Sequence, residues 1–457
     1  MGFLWKAAAA AVVLLLAGCT ESGPPTTRLP ASETDPPGGG VELFATGFVG
    51  PEPTIGVDND GNVFVGAGDD VIRSTDQGKT WKSVHQYRRE GTKEGSLHTF
   101  DPYLFLDPET QRVWISHLRP GAEKTCVFFA FTDDDGATWT TRDRSCPRET
   151  IDHQKIAVAG LGPSTSSADQ ILNQGKRPLY LCYSTLSFIR DNSCAVSFDD
   201  ALTWSSDDVV ITRSRNNCGG LGGVQAVGPD DTVVIMTSWA CKAPTFAITR
   251  DNGASWAAFV GPSDTSASHS IDPELAIASE GTYVAVWKRS DERLHIAALT
   301  GPKDAREWKG PWPITPSDVK TTVFETVALG AGDQIGFAFL GTRDYAGLAG
   351  SAPNTTKWHL FVGAGPLSGA STGDGFLVRQ VTPPNDPVQV GPICLPNQAC
   401  PTEARNLLEF IDSSFGPDGS YWVAYADGCI TNACKQASPP DASLSRDRQA
   451  FVARWKP

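Results

Sequence analysis

Acidic and basic side chains recur at one place in a repeated pattern of this chain, just ahead of short apolar alternations. The starts read Glu52-Pro53, Asp101-Pro102, Asp152-His153, Gly222-Gly223, Asp272-Pro273, Phe324-Glu325 and Arg405-Asn406. Carboxyl groups brought together in pairs can cleave a glycosidic bond, one giving a proton while the other attacks or activates water. An Asp beside a His, as at Asp152-His153, can move protons. The plain alternative is that an acid before Pro caps its own turn by accepting backbone amides, and that His153 faces solvent at a strand start. Other chemistries lack their residues. There is no Gly-x-Ser-x-Gly elbow, Walker-type loop or His-Glu-x-x-His. No Cys-x-x-Cys exists and the 7 His are scattered, so neither a metal nor a cofactor is expected.

These side chains must be positioned by strands. Each start opens a period-two alternation, an Asp/Gly-rich turn and a second apolar run, as from Thr54 to Val65 and from Glu274 to Ala285. Asp58 and Asp60 fall in such a turn and are expected to close a hairpin rather than bind calcium. Between the starts lies a second repeat of hydroxyl, Asp, Gly, hydroxyl and Trp. Its copies are Ser74, Asp76, Gly78, Thr80, Trp81; Thr132, Asp134, Gly136, Thr138, Trp139; Ser197, Asp199, Ala201, Thr203, Trp204; and Thr249, Asp251, Gly253, Ser255, Trp256. The Asp accepts the turn's own amides, Gly supplies the backbone conformation, and Trp anchors the turn on the apolar side. A unit returning every 52 to 65 residues is one supersecondary element used repeatedly.

The four copies resemble the Asp-box, or bacterial neuraminidase repeat, of sialidase-type β-propellers, and the third departs from it at Ala201. Stretches around Arg405-Asn406 and around Tyr425 to Cys429 resemble uncharacterised sialidase-like bacterial lipoproteins, and that likeness covers most of residues 45–455. The resemblance implies an all-β propeller of four-stranded antiparallel blades. Seven starts imply seven blades, with six, the number in catalytic sialidases, as the alternative. Trp308 and Trp358 are candidate remnants of two further boxes. The last strand, near Phe451 to Trp455, is expected to pair with the segment from Val41 to Thr46 and close the ring.

In such a propeller the starts of the inner strands and the loops after the second strands gather at one end of the channel, opposite the boxes. That predicts a glycan site built from Glu52, Asp101, Asp152, His153, Asp272, Glu274, Glu325, Arg405 and Asn406, with His117, Arg119, Trp239, Lys288, Arg289, Arg343, Asp344, Tyr345, Tyr425 and Asp427 from the loops. The family uses an arginine triad for the sugar carboxylate, a Tyr nucleophile activated by Glu, and an acid. On that template Glu274, Glu325, Tyr345 and Asp101 are the candidate catalytic residues, and Arg289, Arg343, Arg405, His153 and Trp239 the ligand-binding ones. The family's first-blade Arg-Ile-Pro is absent, since the chain reads Gly50-Pro51-Glu52-Pro53-Thr54-Ile55. An exo-sialidase type of glycoside hydrolase, a carbohydrate-binding propeller and a non-enzymatic protein-interaction scaffold therefore all remain expectations.

The ends and the cysteines bear on location. Lys6, an apolar run from Ala7 and Leu16-Ala17-Gly18-Cys19 form a signal peptide over 1–18 that resembles a lipobox, implying a lipid on Cys19. Residues 19–40 read as a Pro/Gly/Ser/Thr tether and 41–457 as one propeller domain. Removing Cys19 from 11 Cys leaves 10, grouped as Cys126 with Cys146, Cys182 with Cys194, Cys218 with Cys241, Cys394 with Cys400, and Cys429 with Cys434. Five local disulfides in an exported, membrane-anchored envelope protein are expected. A net charge of −14 argues against nucleic acid and against anionic membrane surfaces but does not exclude an anionic sugar. The sialidase-like resemblance implies a glycan or glycoprotein as partner, and a monomer is the expected state.

Overall fold

Seven antiparallel sheets stand around one axis. The structure is a computed structural model that describes residues 32–33, 40–87, 99–120, 125–146, 150–160, 176–186, 191–212, 221–237, 243–262, 272–300, 307–395 and 402–457. The signal peptide, Cys19 and nearly all of the tether lie outside these residues. The innermost strands of blades one to seven are Thr54–Val57, Phe100–Leu106, Ile151–Val158, Gly222–Val227, Glu274–Ile277, Thr321–Leu329 and Asp412–Phe415. Each packs against the next, and the seventh returns to the first, so the ring is complete. Among the described residues no helix is long and apolar enough to cross a membrane.

Closure works as the alternation from Val41 suggests. Val41–Val49 joins the seventh blade as its outermost strand, with Val41 opposite Trp455 and Ala45 opposite Phe451. First and last segments thus share one sheet, and the edge each would expose is paired. Blade six carries more: Gln389–Val390 pairs with Lys357–Gly365, and Ser32–Glu33 lies parallel to Leu377–Gln380. The seventh inner strand begins at Asp412, several residues beyond the Arg405-Asn406 start read from the sequence. Thr402–Arg405 instead forms a 3-10 turn, and Leu407 is buried in the core between blades six and seven.

The four hydroxyl-Asp-Gly-Trp turns join third and fourth strands in blades one to four. In the second, Asp134 accepts from the Thr138 amide (2.8 Å), the Thr138 hydroxyl (2.6 Å) and the Thr132 hydroxyl (2.8 Å), while Thr132 Oγ1 accepts from the Gly136 amide (3.0 Å). The copy at Asp199 makes the same bonds with Ala201 at φ 65°. The tryptophans reach backwards to the preceding blade: Trp139 stacks on His85, Trp204 on Phe129, and Trp256 meets Tyr180 edge-on. Trp308 extends the series, packing against Phe246 of blade four. Trp358 does not; it opens the third strand of blade six, fully buried, and donates to the Gly391 carbonyl at 2.8 Å. Each large apolar side chain so buried contributes about 1.5–3 kcal/mol. The Asp58 turn is a hairpin in which the carboxylate accepts from the Asp60 and Asn62 amides and the Asn62 side chain.

Disulfides join Cys126 to Cys146, Cys182 to Cys194 and Cys429 to Cys434, and Cys394 is also disulfide-bonded. Cys218, Cys241 and Cys400 lie outside the described residues. Bridges of this kind form in an oxidising, extracytoplasmic compartment.

Gly136 has φ 84°, and a Cβ there would lie 3.0 Å from the Val84 side chain. Gly136→Ala is expected to destabilise the protein by about 1–2 kcal/mol, read as a lower urea midpoint.

Candidate functional site

One local rule positions the axial side chains. At the head of several inner strands a bulge interrupts pairing with the second strand, between Phe100 and Tyr103, Asp152 and Lys155, Gly222 and Gln225, and Val323 and Thr326. Asp101, His153 and Phe324 sit at such bulges with φ of 49°, 50° and 59°, and Glu52, two residues ahead of the first inner strand, has φ 54°, a left-handed conformation that costs a non-glycine residue about 1–2 kcal/mol. Two residues on, alternation brings an equivalent set to the ring: Thr54, Tyr103, Lys155, Gln225, Glu274, Thr326 and Asp412.

Because neighbouring inner strands share no backbone ladder, this set bridges them. Thr54 Oγ1 donates to the Pro102 carbonyl at 3.1 Å and accepts from the Leu104 amide at 2.9 Å. Gln225 Nε2 donates to the Lys155 carbonyl at 2.6 Å, and Asp412 accepts from the Ile55 amide at 2.9 Å. Thr326 and Ser413 hydroxyls lie 3.0 Å apart.

Toward the strand starts the channel is filled by charge. Lys155 Nζ lies 3.2 Å from Asp272 and 3.8 Å from Glu274, with the Phe410 ring centroid at 5.1 Å. His153 Nδ1 faces Asp272 at 2.9 Å, a close ion-pair contact without the alignment of a hydrogen bond, and Nε2 meets Glu409 at 2.5 Å. The other Glu409 oxygen accepts from Arg405, and the His153 amide donates to Asp101 at 3.0 Å. One histidine thus touches groups from blades two, five and seven.

Burial works against every charge here, and the neighbours decide the outcome. It opposes protonation of His153 and Lys155, but Asp272 with Glu409, and Asp272 with Glu274, outweigh it and hold both bases charged. Asp272 is pulled below the usual carboxylate range against its own burial by His153 and Lys155. Glu52 and Glu274 are pushed well above that range, by burial first and then by neighbouring acids. Burial likewise raises Asp152 to about 8, Glu325 to about 7 and Asp412 to about 6.

At the far ends of the inner strands the channel widens into a cavity of about 690 Å³. Tyr103, Gln225, Glu274 and Asp412 lie at its inner end, and its mouth runs past Asn59, Glu109 and Ser279, which are exposed. This is the face that carries the third-to-fourth-strand turns, not the end that the sequence singles out.

The ring predicted from the sequence is brought together but buried: Glu52, Asp101, His153, Asp272, Glu274 and Glu325 all keep 5 % or less of their surface exposed. The arginines are kept apart. Arg343 pairs with Asp318 and Gln380 and lies over Phe361 in the outer part of blade six. Arg405 holds Glu409, and Arg289 sits in the second-to-third-strand turn of blade five. Tyr345 packs, half-buried, against the core between blades six and seven, and Tyr425 is buried within that core. His117 stacks on Tyr87 in blade two, with burial lowering it to about 3. Trp239 lies outside the described residues. Sequence reasoning missed Tyr103, Lys155, Gln225, Glu409 and Asp412. The two-residue offset from each strand start would have found Tyr103, Lys155 and Gln225, but neither Glu409 nor Asp412.

No protein-family model matches the chain, and no curated protein matches it by sequence. Solved structures match its fold. A lectin, BP39L of Burkholderia pseudomallei, is 11% identical over 83% of this chain and 93% of its own, with a TM-score of 0.51. An alpha-L-arabinofuranosidase of Fusarium graminearum is 14% identical over 72% and 91%, at 0.42. A leech intramolecular trans-sialidase is 10% identical over 90% and 68%, at 0.40. At these identities the likeness is one of fold.

Glu325 supplies a pH test. Its amide partner Lys288 N lies at 3.2 Å, and Lys288 and Asp272 are the charges acting on it. A carboxyl raised to about 7 binds its proton more tightly when folded, so its contribution is complete below pH 4.5 and is lost as pH rises through 7. The loss is about 1.4 kcal/mol per pH unit at its steepest. Glu325→Gln keeps the amide's acceptor and cannot ionise. The drop in melting temperature between pH 5 and pH 8 is expected to shrink in this variant.

Proposed function

We propose that this chain is a glycan-directed Asp-box propeller of the bacterial cell envelope, anchored by lipid on Cys19, that takes saccharide into its axial cavity. The cavity carries the reading. Its volume of about 690 Å³ suits a sugar unit or two, and Phe105 and Phe415 offer apolar wall. Gln225, the Tyr103 hydroxyl and the Glu274 and Asp412 carboxyls converge at its inner end, supplying donors and acceptors for sugar hydroxyls. The lectin and glycosidase names among proteins of similar fold are consistent with this.

A second reading, hydrolysis, rests on the two carboxyls. Glu274 is held protonated well above the usual range, while Asp412 titrates at about 6, so near neutrality one can give a proton while the other is ionised. A tyrosine nucleophile is not part of the proposal. Burial, then Asp412 and Glu274, pushes the Tyr103 hydroxyl up and keeps it a donor. Nor is an arginine clamp, because Arg289, Arg343 and Arg405 are engaged on different elements.

Calorimetric titration of the purified chain with neutral, acidic and furanose oligosaccharides, alongside a sugar-release assay, tests both. Binding weakened at least about tenfold, or ~1.4 kcal/mol, by Glu274→Gln supports the axial site. Release abolished by Glu274→Gln or Asp412→Asn makes it a hydrolase. Neither heat nor release from a folded protein would leave the interaction scaffold as the better reading.

A further inference from the structure

The charged end of the channel holds more acid than its bases can serve. Five carboxyl groups surround His153: Glu52, Asp101, Asp152, Asp272 and Glu409. Asp272 has Lys155 and Glu409 has Arg405. Among the described residues no lysine or arginine pairs with Glu52, Asp101 or Asp152. Glu52 is 1 % exposed, yet its Oε2 has no hydrogen-bond partner. A buried carboxyl oxygen without a donor is costly, and this carboxyl group, which meets Asp101, also lies within reach of the charges on His153 and Glu409. One ligand atom from each of Glu52, His153 and Glu409 lies within 4.8 Å of both others.

We propose that Glu52, His153 and Glu409 bind a divalent cation that plugs the strand-start end of the channel. An ion with bonds of roughly 2.0–2.4 Å spans ligands up to twice that distance apart, which the observed spread matches. Nδ1 of His153 already faces Asp272, leaving Nε2 as the ligand atom; the incoming cation displaces to solvent the proton held between Nε2 and Glu409 and the proton on Glu52, and takes over that contact. A carboxylate on the far nitrogen is the arrangement that fixes a metal-bound imidazole, and Lys155 holds that carboxylate in turn. Arg405 does the same for the second oxygen of Glu409. One imidazole with two carboxylates suits a first-row ion such as Mn²⁺ or Zn²⁺ better than Ca²⁺, which collects six to eight oxygens. This site lies beyond Lys155 from the glycan cavity and does not depend on that reading.

The untagged full chain, stripped with EDTA and desalted, is incubated separately with Mn²⁺, Zn²⁺ and Ca²⁺. Bound metal is then measured by elemental analysis after gel filtration, and melting temperature by calorimetry. About one equivalent of Mn²⁺ or Zn²⁺ per chain is expected, with a rise in melting temperature that EDTA reverses. Glu52→Gln, which keeps the side chain's volume but cannot give up a proton to become an anionic ligand, is expected to lose both effects while still melting cooperatively in EDTA near the wild-type temperature. Glu409→Gln serves as a second variant should Glu52→Gln fail to fold. Less than a tenth of an equivalent of Mn²⁺ and Zn²⁺, retention of only Ca²⁺, or undiminished binding in the folded variants would overturn the proposal. Saccharide titration is read separately, so loss of one result leaves the other standing.

Discussion

Seven sheets arranged around an axis leave a hole, and what fills it decides whether the ring is one body. Here the filling is charged. His153 and Lys155 on the third blade reach Asp272 on the fifth, while His153 also reaches Glu409 ahead of the seventh inner strand. These contacts cross the axis, which no backbone ladder does. Everything nearer the rim is a local matter between adjacent blades. Tryptophan reaches back onto the preceding sheet, and the Thr54, Gln225 and Asp412 side chains stitch one inner strand to the next.

A charged plug is an expensive way to gain stability. Desolvation of buried ions offsets most of their attraction, and an apolar plug of equal volume would hold as well or better. What charge does supply is selectivity among arrangements. A misregistered inner strand would move every side chain of its ring position to the opposite face and leave Lys155 or Asp272 buried without its partner. The left-handed residues at Glu52, Asp101 and His153 carry a further cost for the same result, because they turn these side chains inward at the point where pairing with the second strand begins.

Much of the architecture is legible in the sequence because it is written redundantly. Four copies of one turn, seven alternating strand pairs and matching apolar segments at the two ends each point to the same ring, and the structure has them all. The axial chemistry is written once per position and has no redundancy. Reading the polar residue at each strand start finds Glu52, Asp101 and His153 but passes over Tyr103, Lys155 and Gln225, because the bulge shifts the axial layer two residues along. The seventh blade adds a second displacement. A turn at Thr402–Arg405 carries the chain inward before its strand begins, so Glu409 and Asp412 fall where the Arg405-Asn406 start does not direct attention. The arginines fail for another reason. Loop position suggests that Arg343 faces the channel, but Asp318, Gln380 and the Phe361 ring hold it at the outer strands, and guanidinium groups follow such partners rather than topology.

The two ends of the channel consequently differ in kind. At the strand starts, bases and acids are buried within contact of one another. At the strand ends the residues two further along are small or apolar, Gly56, Ala328 and Ser414 among them, so the same ring that is closed by long side chains at one level opens at the next. Glu274 and Asp412 stand at the boundary. They are neighbours of Lys155 on one side and face the cavity on the other, so the charge distribution of the plug is felt by whatever enters the cavity. A change to the plug that altered the charge on Lys155 or Asp272 would therefore shift the protonation of Glu274 without touching the cavity wall.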